Sequence, residues 1–172
     1  FRDRAFGNFY DLMVAVTLSP MMGDYLDVAN NNKASATTGT DPNENYAREI
    51  LQLFSVGTVK LNLDGTPQWD ATGNPLPTYD LAEIKGFSRV FTGWTYPTVA
   101  GAQVRANNPR NYLGNMLAVA ANHETGTKIL LDGVVAPANL TMDEDLAFAH
   151  RNIFNHPNVG PFIARQLIQK LV

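Results

Sequence analysis

Apolar residues recur along much of this chain at three- and four-residue intervals, the spacing that buries one face of a helix. The clearest case is residues 41–57, where Tyr46, Ala47, Ile50, Leu51, Leu53 and Phe54 form one arc at about 100° per residue. Glu44, Arg48, Gln52 and Ser55 lie opposite, with Asn45 and Glu49 along one flank. Asp41 with Glu44 reads as a capping box, Pro42 suits the first helical position, and Gly57 suits a left-handed C-terminal cap.

Five further helices follow from the same pattern. Residues 1–19 place Phe1, Ala5, Phe6, Phe9, Leu12, Met13 and Val16 on one face, and a short helix restarts at Pro20. Asp80 with Glu83 caps a helix through Ile84, Phe87, Val90 and Phe91, ending at Gly93. Gly86 inside it predicts a close backbone approach, because a mid-helix glycine costs about 1 kcal/mol against alanine. Thr141 with Glu144 caps a helix to about Asn155, with Leu146, Ala149, Ile153 and Phe154 facing inward and His150 on the surface. His156 precedes Pro157 at the next corner, where its ring is placed to cap the preceding carbonyls. In the last helix, from about Val159, apolar residues cover more than half the circumference, predicting a central position or contact with further chain.

Between helices the period changes. Residues 58–63 alternate, Asp64-Gly65 is a hairpin turn, and Pro67 restricts the return strand to an edge or an irregular arm. Residues 127–131 before Asp132-Gly133 predict a second short strand and turn, while residues 94–122 show little periodicity except around 116–121. The expected fold is mainly α: a multi-helix domain with two small β-hairpin-like arms in long loops. Residues 1–172 then form one domain segment, and the uncapped pattern at both ends predicts an internal fragment of a larger helical domain.

Composition narrows the function classes. The hydrophobic fraction of 45% in 172 residues supports a packed core, and no apolar run is long enough to span a bilayer. A net charge of −3 offers no basic field for phosphates, so nucleic acid is not an expected partner. With no cysteine, disulfides and thiolate metal sites are excluded. Neither a glycine-rich phosphate loop nor a nucleophile elbow occurs.

Four ordered stretches carry a family resemblance. Residues 41–57 resemble the P-N-E-N-[FY]-A-R-E-[LI]-[ML]-x-L-F-[TS]-x-G signature of the bacterial family catalogued as domain of unknown function 1800. Arg89 and Phe91–Trp94 resemble its A-R-x-[FL]-T-G-W element, with Ser88 where alanine is usual. His123–Lys128 resembles H-[DE]-x-G-x-K, and His156–Arg165 resembles H-P-x-x-x-x-F-[IL]-A-[RK]. The resemblance implies a largely helical domain longer than this chain. It also implies export to the periplasm or medium, and frequent encoding beside a sulfatase-like family. It brings no catalytic residues with it.

Three readings of the candidate residues stand open. In the leading one, the segment is structural or interacting, with the rest of its own polypeptide and a protein partner as its contacts. Glu44, Arg48, Glu49, Arg89 and Arg165 then form interior salt bridges between helices. In the second, a metal-assisted or general acid–base hydrolase uses His123 as proton carrier or ligand to a divalent metal, with Glu44 or Glu49 as base or ligand. Arg48, Arg89, Trp94 and Lys128 would be its binding residues. In the third, Trp69, Tyr79, Trp94 and Tyr96 floor a carbohydrate or peptide groove. Asn62, Asp64, Asp70 and Asn74 gather oxygens near one turn, a pattern that fits turn chemistry better than an EF-hand.

Overall fold

The computed structural model describes residue 4 and residues 6–172. Among them run six α-helices: α1 (Phe9–Thr17), α2 (Pro20–Tyr25), α3 (Asn45–Gln52), α4 (Leu81–Val90), α5 (Met142–Phe154) and α6 (Val159–Leu171). Two antiparallel strand pairs of two residues each and two single-turn 3-10 helices (Ala120–Asn122 and Leu131–Gly133) complete the regular structure among these residues. β1 (Trp94–Thr95) pairs with β2 (Leu117–Ala118), and β3 (Lys128–Ile129) with β4 (Val135–Ala136). The fold is therefore helix-rich, with much of the chain in irregular segments. Buried Met13, Tyr46, Ile50, Leu51, Phe87, Phe91, Leu146 and Ile153 form one core joining α1, α3, α4 and α5.

Local chemistry explains most boundaries. The capping boxes at Asp80/Glu83 and Thr141/Glu144 are both formed. Asn8 caps α1 by accepting from the Tyr10 amide at 2.7 Å, so the helix starts at Phe9 and leaves Phe6 fully exposed. The Phe1 and Ala5 positions of the expected face lie outside the described residues. α3 also starts later than its sequence pattern predicts. Asn31 accepts from the Asn43 amide at 2.8 Å and its amide group faces the Asn43 carbonyl at 3.4 Å, holding that residue out of the helix. Glu44, not Asp41, takes the N-cap position, without a side-chain bond, and Asn43 just before it accepts from the Asn45 amide. At the other end α3 stops at Gln52 with Leu53 as its cap, earlier than the sequence pattern predicts, and Gly57, at φ 70°, lies beyond that cap and donates to the Leu51 carbonyl. Of the expected apolar arc, Leu53 faces solvent.

The first arm is the irregular one foreseen from Pro67. Bridges Leu61↔Pro67, Trp69↔Pro75 and Val59↔Pro77 each place a proline at the pairing position, so no continuous ladder forms. Asp64 and Asp70 act as turn residues, accepting from the Thr66 amide and from the Thr72 and Asn74 amides. The Thr66 hydroxyl and amide hold the Asp64 carboxyl below the ordinary carboxylate range, and the Asn74 amide and Thr72 hydroxyl do the same for Asp70. The β3–β4 arm has its turn at Asp132-Gly133, both at positive φ. The β1–β2 pair has no strong sequence period, since each strand is only two residues long.

Gly86 is where the second arm meets α4. A Cβ there would lie 1.7 Å from the Ile129 carbonyl oxygen, so the helix and β3 touch through backbone alone.

Two histidines differ from expectation. His150 is fully buried, and its Nδ1 meets the Leu146 carbonyl at 2.8 Å while Nε2 meets Thr17 Oγ1 at 2.8 Å. Thr17 in turn bonds the Tyr46 hydroxyl at 2.5 Å, so a polar chain links α5, α1 and α3 inside the core. The helical pattern gives no sign of this, because the partner is 133 residues away. Burial lowers the His150 pKa to about 4. His156 does not cap α5. Its Nδ1 accepts from the Asn158 amide at 3.1 Å, and its Nε2 lies 3.4 Å from Asp132.

Phe154 is partly exposed, and α6 leaves Leu167, Ile168 and Leu171 exposed. That helix is therefore peripheral in this chain.

Two measurements test this account. Gly86→Ala should destabilise the protein by about 3 kcal/mol or abolish folding, as overpacking against rigid backbone does. A urea midpoint equal to that of the parent would refute the contact. The His150 pKa lies near the ordinary 6.5 when unfolded and is lowered by burial to about 4 when folded. The unfolded state therefore binds more protons between those values, and stability should fall by about 3 kcal/mol as pH drops through that window. His150→Asn should be less stable at neutral pH but lack that component, as urea titrations at several pH values would show.

Candidate functional site

Three of the four signature stretches converge behind the C-terminal end of α4. Thr92, the first residue after the α4 cap, is completely buried and makes the junction. Its hydroxyl donates to the Arg89 carbonyl at 2.8 Å and accepts from the Glu124 amide at 2.9 Å. Its carbonyl accepts from His123 Nδ1 at 2.9 Å. Since a carbonyl only accepts, this contact assigns one ring proton to Nδ1.

The other ring nitrogen of His123, Nε2, lies 2.8 Å from Asp145 Oδ2, and Lys128 Nζ reaches the same oxygen at 2.5 Å. His123 is 2% exposed, and Lys128 and Asp145 are 0% exposed. Lys128 also donates to the Gly126 carbonyl at 3.1 Å. Asp145 Oδ1 has no hydrogen-bond partner among the described residues. An ammonium and a carboxylate buried together offset part of their mutual desolvation cost, and each becomes expensive without the other.

The H-E-x-G-x-K spacing now has a physical account. Glu124 Oε1 accepts from the Gly126 amide at 3.0 Å and forms an ion pair with Arg89 Nη2 at 3.4 Å. These two groups hold the Glu124 carboxyl below its ordinary range, the Gly126 bond contributing most. A Cβ on Gly126 would lie 2.6 Å from Arg89 Nη2, so the guanidinium occupies the space that a side chain would take. His123 and Lys128 point inward to Asp145, while Glu124 between them points outward to Arg89.

Arg89 and Glu124 open onto a cleft of about 160 Å³, shared with Asp41, Glu44, Lys85 and Ser88. Glu44 there pairs with Arg48 at 2.5 Å, and the Arg48 side chain is 44% exposed. Such a pair contributes a few tenths of a kcal/mol, so the expected interior bridge at this position is a surface one. Glu49 is half-buried, with Oε2 shielded and without a hydrogen-bond partner among the described residues. Arg165 donates to the Gly65 carbonyl and is not in an ion pair among the described residues. Hydrogen bonds tie His123 to Thr92 and Asp145 and to neither Glu44 nor Glu49. Among the described residues, no group of three His, Asp or Glu side chains is placed to hold a metal ion.

Trp94 and Tyr96 are buried, and Tyr79 is half-buried. Tyr96 donates to Asp24 at 2.7 Å, beside Tyr112 and Arg110 on the same carboxylate. Burial and this bond raise its pKa to about 12, and the three donors hold Asp24 low. These rings anchor the 96–112 loop onto α2. Only Trp69 of the aromatic set presents a largely exposed ring.

Asp145 is the residue that sequence reasoning passed over. One signal was available: it sits on the stripe of Met142, Leu146, Ala149 and Ile153, a carboxylate among apolar positions. Acidic residues in a first helical turn are common enough to hide it.

A family model described as "Protein of unknown function (DUF1800)" matches residues 1–172. This chain belongs to that family. No curated protein and no solved structure matches it. Within the family's signature elements, the buried side chains of this member join loops to helices, and Glu44, Arg89 and Glu124 line an open cleft.

Removing the shared carboxylate gives a direct test. Asp145→Ala should lower stability by about 3–5 kcal/mol, whereas Arg48→Ala should cost less than about 0.5 kcal/mol. Similar urea midpoints for the two variants would contradict the burial assigned to each.

Proposed function

We propose that this segment is a structural and interaction unit of an exported bacterial protein, with its signature residues serving to hold long loops on a helical frame. The observation that carries this reading is the occupation of His123. Both ring nitrogens are hydrogen-bonded to protein, and the ring has almost no access to solvent. Lys128 is likewise enclosed. A general base or metal ligand needs a free lone pair facing a substrate or ion, and neither residue offers one in this arrangement.

The hydrolase reading, with His123 acting beside Glu44 or Glu49, draws less support from this geometry. Glu44 pairs with Arg48, and among the described residues neither glutamate shares a hydrogen bond with the imidazole. The wider protein context supports the interaction part: α6 presents Leu167, Ile168 and Leu171 to solvent, an apolar face suited to further protein. Export rests on the family resemblance.

Elemental analysis after dialysis without chelator, combined with thermal unfolding, tests the reading. The parent chain should carry no stoichiometric zinc, manganese or calcium, and His123→Ala should lower Tm by about 10 °C through lost buried hydrogen bonds. A stoichiometric metal that disappears in His123→Ala would overturn the structural assignment in favour of the metal-assisted one.

A further inference from the structure

Trp69 stands apart from the other aromatic residues. It is 60% exposed, in contrast to 3% for Trp94, yet its backbone is held by the Trp69↔Pro75 bridge and the Asp70 turn. Its ring borders a groove of about 450 Å³ between the first arm and α6. Pro67 and Pro75 line the arm side, and Arg165, Gln166 and Gln169 line the helix side.

We propose that this groove binds a saccharide, with the Trp69 ring as stacking platform. A pyranose ring has an apolar C–H face and an equatorial belt of hydroxyls. A single rigid indole matches the first, because it supplies a broad apolar face at little conformational cost. Two carboxamides and a guanidinium match the second, since amides both donate and accept and Arg adds fixed donors. At about 100° per residue, Phe162, Arg165, Gln166 and Gln169 share one face of α6. The exposed Leu167, Ile168 and Leu171 lie on the opposite face, so the groove is separate from the apolar surface discussed above. Its volume falls within the range of small-ligand sites.

The two walls are fixed to each other before any ligand arrives. Arg165 bonds the Gly65 carbonyl at the arm tip at 3.2 Å. Asn158, buried just before α6, donates to the Val56 and Val59 carbonyls at 2.6 and 2.9 Å and accepts from the Leu61 amide at 2.6 Å. Phe162 packs where a Gly57 side chain would be, 2.5 Å from its ideal Cβ position. A groove held this way loses little entropy on binding. A proline-rich peptide fits less well, because such ligands lie across several parallel aromatic ridges and this groove has one exposed ring.

With two tryptophans in the chain, one buried, fluorescence separates binding from folding. The parent chain would be titrated with cello-, xylo-, chito- and malto-oligosaccharides and with a polyproline peptide. We expect saturable quenching of Trp69 by at least one oligosaccharide. Isothermal titration calorimetry should show that sugar binding about tenfold more weakly to Trp69→Ala. Gln169→Ala, an exposed helix position, should weaken it several-fold while buried Trp94 emission and Tm stay unchanged. Saturation by polyproline alone, undiminished sugar affinity in Trp69→Ala, or no saturable response to any oligosaccharide would each overturn the proposal.

Discussion

Irregular backbone cannot be buried without partners for its N–H and C=O groups, and this constraint governs most of the molecule. The strands are two residues long and the helices leave long connections between them. Side chains must therefore do what a sheet would do elsewhere. Asparagines carry much of this role. Asn158 brackets the first arm, Asn152 both donates to and accepts from the Leu131 backbone, and Asn31 brackets Asn43. Asn108 donates to the Tyr96 carbonyl through its side chain and to Thr95 Oγ1 through its backbone. A carboxamide offers a donor and an acceptor in one plane, as a peptide unit does, so one side chain can complete a missing rung.

Charge is used in the same way at one deeper point. Asp145 draws His123 and Lys128 inward, and those two residues fix the ends of the loop that carries Glu124 and Gly126. Thr92 closes the other side by bonding Arg89, His123 and Glu124 together. The result couples α4, β3 and α5 through polar contacts where the apolar core is interrupted. Buried ionic groups of this kind add little net stability over apolar replacements, but they tolerate few alternative arrangements. That property suits a chain whose loops have no ladder to set their register. Thr92, His123, Lys128 and Asp145 thereby fasten the loop to the helices.

The regular elements were legible because their causes are local. The Asp80/Glu83 and Thr141/Glu144 capping boxes, the Gly57 turn and the Asp132-Gly133 hairpin each depend on residues within a few positions of one another. Gly86 was legible as a close approach, since its only cost lies in the helix that contains it. By contrast, the start of α3 moved because Asn31, twelve residues upstream, holds Asn43. His150 changed from surface to core because Thr17 comes from a helix at the opposite end of the chain.

Family membership, the helical character and the proline-limited first arm thus follow from sequence alone, through short motifs and periodic burial. Tertiary structure decided which charges are inside. Glu44 and Arg48 have ideal helical spacing yet remain near water, whereas Asp145, Lys128 and His123 meet in the interior from three separate segments. It also decided that Trp94 is buried while Trp69 stays open. Such outcomes depend on desolvation and long-range contact, and neither is encoded in the spacing of neighbours along one segment.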